Sequence, residues 1–217
     1  EDISARGPET PAGYAFAIWF VIFGLSVAYG AWYAFKGKDD ALCQRLSTPA
    51  ALLFFLSSLW MVSAQVLGDG WHLVFIILVM WALAAKSLLV LVDDAATTSP
   101  IRLYVLEPLF GLYAGWLSAA IFLNITGTTS KYFGTLGMSP NEYALLSLIP
   151  AGALSVAIIN RTKGNLWFTL TGLWAVHAIA AANLRTDNLM IVSVCCVLAA
   201  VILGAFWLAQ RWEPAAR

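Results

Sequence analysis

LMIVSVCCVLAAVILGAFW, residues 189–207, runs for nineteen residues without a charge. A helix crossing about 30 Å of hydrocarbon needs roughly 20 apolar residues, and this run has that length. Six similar runs precede it, at 12–35, 49–67, 71–92, 101–125, 142–159 and 166–184. Short polar stretches separate them: KGKDD at 36–40, GDG at 68–70, DDAATTSP at 93–100, GTTSK at 127–131, NRTKG at 160–164 and RTDN at 185–188. In lipid every backbone polar group must be satisfied within its own segment, which requires helices. A β-barrel would show alternating stretches of about ten residues, whereas these runs are continuous. The expected fold is all-α: a polytopic bundle of seven spanning helices in one membrane domain covering 1–217.

Composition agrees. Of 217 residues, 61% are hydrophobic and 11% charged, and mean hydropathy is +0.80. A soluble domain is nearer 45–50% apolar and about 25% charged, so this chain could not clothe a water-facing surface. Disorder and a disulfide-stapled secreted domain are excluded by the same numbers. Twelve basic residues balance twelve acidic ones, which gives no bulk attraction to nucleic acid. Cys43, Cys195 and Cys196 form no CxxC, and the adjacent pair reads as small packing residues. No metal site is expected.

Basic residues set the expected orientation. Lys36, Lys38, Arg45, Lys86, Arg102, Arg161, Lys163, Arg211 and Arg217 fall on one side, and only Arg6, Lys131 and Arg185 on the other. The C-terminus is therefore expected in the cytoplasm, in a bacterial inner membrane. The polar opening 1–10 lacks an initiating methionine, and a removed signal or a further helix is expected upstream.

Ten tryptophans are present, and eight of them fall into two sets. Trp71, Trp207 and Trp212 sit at segment ends, where an indole favours the headgroup level. Trp19, Trp60, Trp81, Trp116 and Trp174 lie deeper and serve either helix packing or the wall of a pocket for a flat apolar ligand. Ionisable groups inside a span usually mark function. Lys86 can snorkel, Glu107 lies within reach of the same interface, and His72 is at a segment start. His177, mid-span, is a candidate ligand for a haem iron or chlorophyll magnesium, although a lone histidine is more often simply hydrogen-bonded within a bundle. No GxSxG, HExxH, Walker loop or GxGxxG occurs, intramembrane aspartate pairs are absent, and segment seven has no lysine for a retinal Schiff base. No catalytic residue is assigned, and the chain is not expected to be an enzyme.

Two stretches are more specific. TPAGYAFAIW at 10–19 enters the first segment, and LYAGWLSAAIFLN at 112–124 lies in the fourth. Together they resemble the TspO/MBR family, the tryptophan-rich sensory proteins related to the mitochondrial translocator protein. Pro11, Gly13 and Phe16 match its first signature, with Ala12 for the second proline and Tyr14 for the tryptophan. Tyr113, Trp116, Ala120, Leu123 and Asn124 match its late signature, with Leu112 for the proline. Leu56 and Trp60 fit a third, in which Ser57 replaces asparagine. The resemblance covers 10–125 and leaves 126–217 as additional C-terminal helices of a longer, divergent branch.

The resemblance implies an aromatic ligand cavity among the first four segments. Its residues would be Pro11, Gly13, Tyr14, Phe16, Trp19, Trp60, Tyr113, Trp116, Ala120 and Asn124. The ligand implied is a planar tetrapyrrole (haem, porphyrin or bacteriochlorophyll), a sterol or a carotenoid, and the role sensory or transport-related. The alternative implied is an accessory or assembly subunit of a photosynthetic pigment–protein complex, since relatives in purple bacteria accompany pigment genes. Family members often dimerise, and the small residues of segment four would permit a homodimer.

Overall fold

In a computed structural model the described residues are 7–94 and 99–211. Arg6, Trp212 and Arg217 lie outside them. Among the described residues there are seven helices long and apolar enough to cross a membrane. They are α1 (Ile18–Phe35), α2 (Ala41–Leu67), α3 (Trp71–Asp93), α4 (Glu107–Phe133), α5 (Pro140–Arg161), α6 (Leu166–Leu184) and α7 (Leu189–Arg211). A 3-10 helix, Gly13–Ala17, leads into α1, and a π-helical turn, Arg102–Leu106, leads into α4.

The helices exceed the apolar runs where polar residues satisfy themselves. The stretch 127–131 is helical, not a loop, and α4 continues to Phe133. The Thr126 hydroxyl donates to the Phe122 carbonyl one turn back, 2.9 Å, and Tyr143 of α5 donates to the Thr126 carbonyl, 2.8 Å. Helix α2 begins eight residues before Pro49, where the Asp40 side chain accepts from the Cys43 amide. A capping box of Ser139 and Glu142 starts α5, satisfying two otherwise orphaned amides.

Helix α4 is the hub. It packs against α3, α5 and α6, while α7 closes on α5 and α6, and α2 on α3. Glycine permits the closest of these approaches. A Cβ on Gly111 would lie 2.6 Å from Trp167 Cβ, and one on Gly115 2.7 Å from Thr171 Cβ. Gly111, Ala114, Gly115 and Ser118 are buried within the protomer. These small residues are thus used inside the bundle. Trp81 donates from Nε1 to Ser118 Oγ, 2.9 Å, joining α3 to α4.

One end of the bundle is sealed by charge. Arg102 donates to Glu107 Oε1, 2.9 Å, to the Leu91 carbonyl, 2.6 Å, and to the Asp94 carbonyl. Arg45 pairs with Asp94 at 3.1 Å. Glu107, read from the sequence as lying within reach of the interface, is the partner of a buried guanidinium. Lys86 is exposed, as its snorkelling requires. Trp71 and Trp207 are 41% and 51% exposed at helix ends, and the Arg211 guanidinium lies 3.6 Å over the Trp207 ring.

Candidate functional site

The other end of the bundle is hollow. A cavity of about 1080 Å³ lies between the 7–11 segment, the N-terminal part of α1 and helices α2 to α6. This is just above the usual range of small-molecule sites, about 300–1,000 Å³. Its aromatic walls are Phe16, Trp19, Trp60 and Trp116. Ile77, Met80, Leu117, Ala120 and Ala175 add apolar surface. Towards the mouth the lining turns polar, with Glu9, Asp69, Asn124, Lys131, Tyr143 and Asn183.

Local geometry explains which rings reach it. In the 3-10 helix three residues make a turn, so Phe16 lies one turn before Trp19 and both face the hollow. Phe16 meets Trp116 edge-on, with centroids 5.6 Å apart. On α4, Trp116, Ala120 and Asn124 recur at four residues and form one stripe. Asn124 Nδ2 donates to the Ala120 carbonyl, 2.8 Å. The Trp60 indole nitrogen is buried without a hydrogen-bond partner. A buried N–H of this kind costs free energy until an acceptor meets it.

Seven of the ten residues expected to bind ligand therefore line the cavity: Pro11, Phe16, Trp19, Trp60, Trp116, Ala120 and Asn124. Tyr113 does not. It is fully buried, shares a 2.8 Å hydrogen bond with Ser57, stacks on Phe54 and meets Trp19 edge-on at 5.8 Å. It stands one layer behind the wall and holds Trp19. Gly13 lines a smaller, adjoining hollow beside Asn183.

Tyr14 points away, a third of a turn from Phe16. Its hydroxyl shares a 3.0 Å hydrogen bond with His177 Nδ1, and its ring meets Trp174 edge-on. His177 and Trp174 are exposed on the outer face of α6, so His177 is not a ligand inside this cavity. Its bond to Tyr14 is one of several that fasten the N-terminal strap, residues 8–17, to α6. Asn183 Nδ2 donates to the Pro8 carbonyl, 2.7 Å, the Ala12 amide to the Ala178 carbonyl, 3.0 Å, and Trp174 Nε1 to the Ala15 carbonyl, 3.0 Å.

The strap adds a residue that the sequence reading passed over. Glu9 is 8% exposed and its Oε2 has no hydrogen-bond partner. Burial pushes its carboxyl above the usual range, only partly offset by its own backbone amide. The cavity also draws on α5 and α6, beyond the four segments expected. Among the described residues no group of histidine, cysteine and acidic side chains could hold a metal ion.

A family model described as TSPO-like protein matches residues 3–208. The chain belongs to the TSPO-like family. The match passes residue 125 and takes in α5, α6 and most of α7, so the family pattern extends through the helices that complete the cavity. No curated protein and no solved structure matches the chain. The site in this TSPO-like protein is thus an aromatic chamber with a polar mouth, built by an N-terminal strap and six of the seven helices.

Proposed function

We propose that this TSPO-like membrane protein binds a planar, hydrophobic small molecule in the aromatic chamber, with a porphyrin-type tetrapyrrole as the leading ligand class. The observation that carries the reading is four rings, Phe16, Trp19, Trp60 and Trp116, around one cavity of about 1080 Å³. Flat π-systems favour offset or edge-on contact with such rings, and the unpartnered Trp60 indole offers a donor to one acceptor atom. No histidine is among the described residues lining the cavity, so stacking and apolar burial would hold the ligand, not an imidazole on a central metal. Sterols and carotenoids suit the same apolar walls less well, because neither is flat and aromatic throughout. The role is binding, with a sensory or transport-related output, and not catalysis.

On the bias of basic residues between the loops, our reading has the C-terminus in the cytoplasm of a bacterial inner membrane and the cavity mouth on the opposite side. A second reading rests on the exposed patch of Tyr14, Trp174 and His177, a lipid-facing surface on which a pigment-bearing photosynthetic partner could dock. Gentle purification from the native membrane, with an absorption spectrum and mass spectrometry, tests both. A Soret band at near-unit stoichiometry without other polypeptides is the expected result. Pigment arriving only with other subunits favours the accessory role, and a colourless protein carrying no apolar ligand contradicts the first reading.

A further inference from the structure

We propose that Glu9 reads the polar end of the ligand, accepting a hydrogen bond from an O–H or N–H donor and disfavouring a free carboxylate there. The inference rests on the cavity being the ligand site and adds the chemistry of the ligand's head.

The argument begins with an imbalance. Glu9 is buried at the cavity mouth, and Oε2 has no partner. Buried carboxyl oxygens are ordinarily met by donors. Four polar side chains that line the cavity direct donors elsewhere. Lys131 Nζ donates to the Asp69 carbonyl, 2.6 Å. Tyr143 donates to the Thr126 carbonyl, Asn124 to the Ala120 carbonyl, and Asn183 Nδ2 to the carbonyls of Pro8 and Ile179.

The carboxyl is also held in place. Anchors at Pro8 and Ala12 bracket it and fix the strap to α6. A Cβ on Gly7 would lie 2.5 Å from each carboxyl oxygen, so glycine there makes room for the side chain to fold back. The acceptor is therefore pre-positioned beside an apolar chamber, and an amphiphile with its flat body among the rings would bring its head to it. A donor head removes the imbalance. A carboxylate head would meet Glu9 and Asp69 of the same cavity with like charge, opposed among the described lining residues by Lys131.

The test uses three four-ring hydrocarbons that differ only in the head: 1-methylpyrene, 1-pyrenemethylamine and 1-pyrenecarboxylate. Binding to the full chain in lipid nanodiscs is read by energy transfer from tryptophan to pyrene. The readout is the affinity ratio of amine to methylpyrene in wild type against Glu9→Gln, because partition into lipid cancels between the two proteins. Wild type should favour the amine by about tenfold or more, bind the carboxylate weakest, and lose most of the amine preference in Glu9→Gln. Glu9→Asp, which keeps the charge, should retain part of it. A single cooperative thermal unfolding transition in each of the three proteins verifies that they are folded. Equal ratios in wild type and Glu9→Gln, with methylpyrene still bound, overturn the role of Glu9 and spare the cavity. Failure of wild type to bind methylpyrene at all overturns the cavity reading and this inference with it.

Discussion

Helices α1 and α4 cross the same bundle, yet the buried share of their most apolar stretches is 17% for α1 and 67% for α4. Both carry glycine and aromatic residues, so composition does not separate them. The difference is in how they meet their neighbours. Helix α4 approaches α6 backbone to backbone through Gly111 and Gly115. Helix α1 and the 3-10 turn before it stand off on rings: Phe16 on Trp116, Trp19 on Tyr113 and Tyr29 on Phe110. Close packing by small residues leaves no void. Packing through large rings at one end leaves the chamber, which makes α4 the scaffold and α1 with its strap the wall that shapes the site.

Breaking the scaffold should have the largest effect. Arg102→Ala strands Glu107 and two carbonyls at the foot of α4, and loss of one partner of a buried pair costs about 3–5 kcal/mol. Because Glu107 is partly exposed, the lower end is expected. Thermal unfolding in detergent should show it, with Arg102→Lys recovering only part because it lacks the guanidinium fork. Gly115→Leu should come next, at about 1–3 kcal/mol from overpacking against Thr171. The equivalent change at Gly24 of α1, where a Cβ would meet nothing within 4 Å, should leave stability nearly unchanged. Comparable losses at the two glycines would erase the contrast.

Changes in the wall should act on ligand more than on fold. Trp116→Ala should weaken porphyrin binding by about 1–3 kcal/mol if its face stacks on the ligand, measured by tryptophan quenching. Glu9→Gln should raise the unfolding temperature at neutral pH. Because the folded Glu9 carboxyl sits above its unfolded value of 4.5, ionisation opposes folding. Its stabilising contribution is complete below the unfolded value and is lost as pH rises through the folded one. The gain from Glu9→Gln should therefore fade on acidification. Tyr14→Phe should have the smallest effect, about 0.5–1.5 kcal/mol for one hydrogen bond, with porphyrin affinity unaltered.

Much of this was legible in the sequence. Seven apolar runs gave seven helices, and the stripe Trp116, Ala120 and Asn124 was readable from its four-residue spacing. The misplacements have local causes. Tyr14 and Phe16 look equivalent in a signature, but a three-residue turn sends one to α6 and the other into the cavity. Tyr113 shares the signature with Trp116, yet Ser57 and Phe54 take it into the layer behind. Residues 127–131 look like a loop by composition, but their helix extends to Phe133. Glu9 lies in a polar opening stretch, and nothing short of the fold shows that α6 captures that stretch over the cavity. The contribution of α6, through Ala175, Ile179 and Asn183, is likewise invisible to any local pattern, because it depends on contacts remote in sequence.

The central claim is tested most directly by titrating protoporphyrin IX dimethyl ester, a flat tetrapyrrole without a free carboxylate, into the nanodisc-embedded protein and into Trp116→Ala, Trp60→Phe and Tyr14→Ala. The account predicts saturable, one-site quenching in wild type, weaker binding in the two cavity variants, and wild-type affinity in Tyr14→Ala, whose ring lies outside the chamber. Equal affinity in wild type and the cavity variants, or a loss confined to Tyr14→Ala, would contradict it and move the ligand to the outer face of α6.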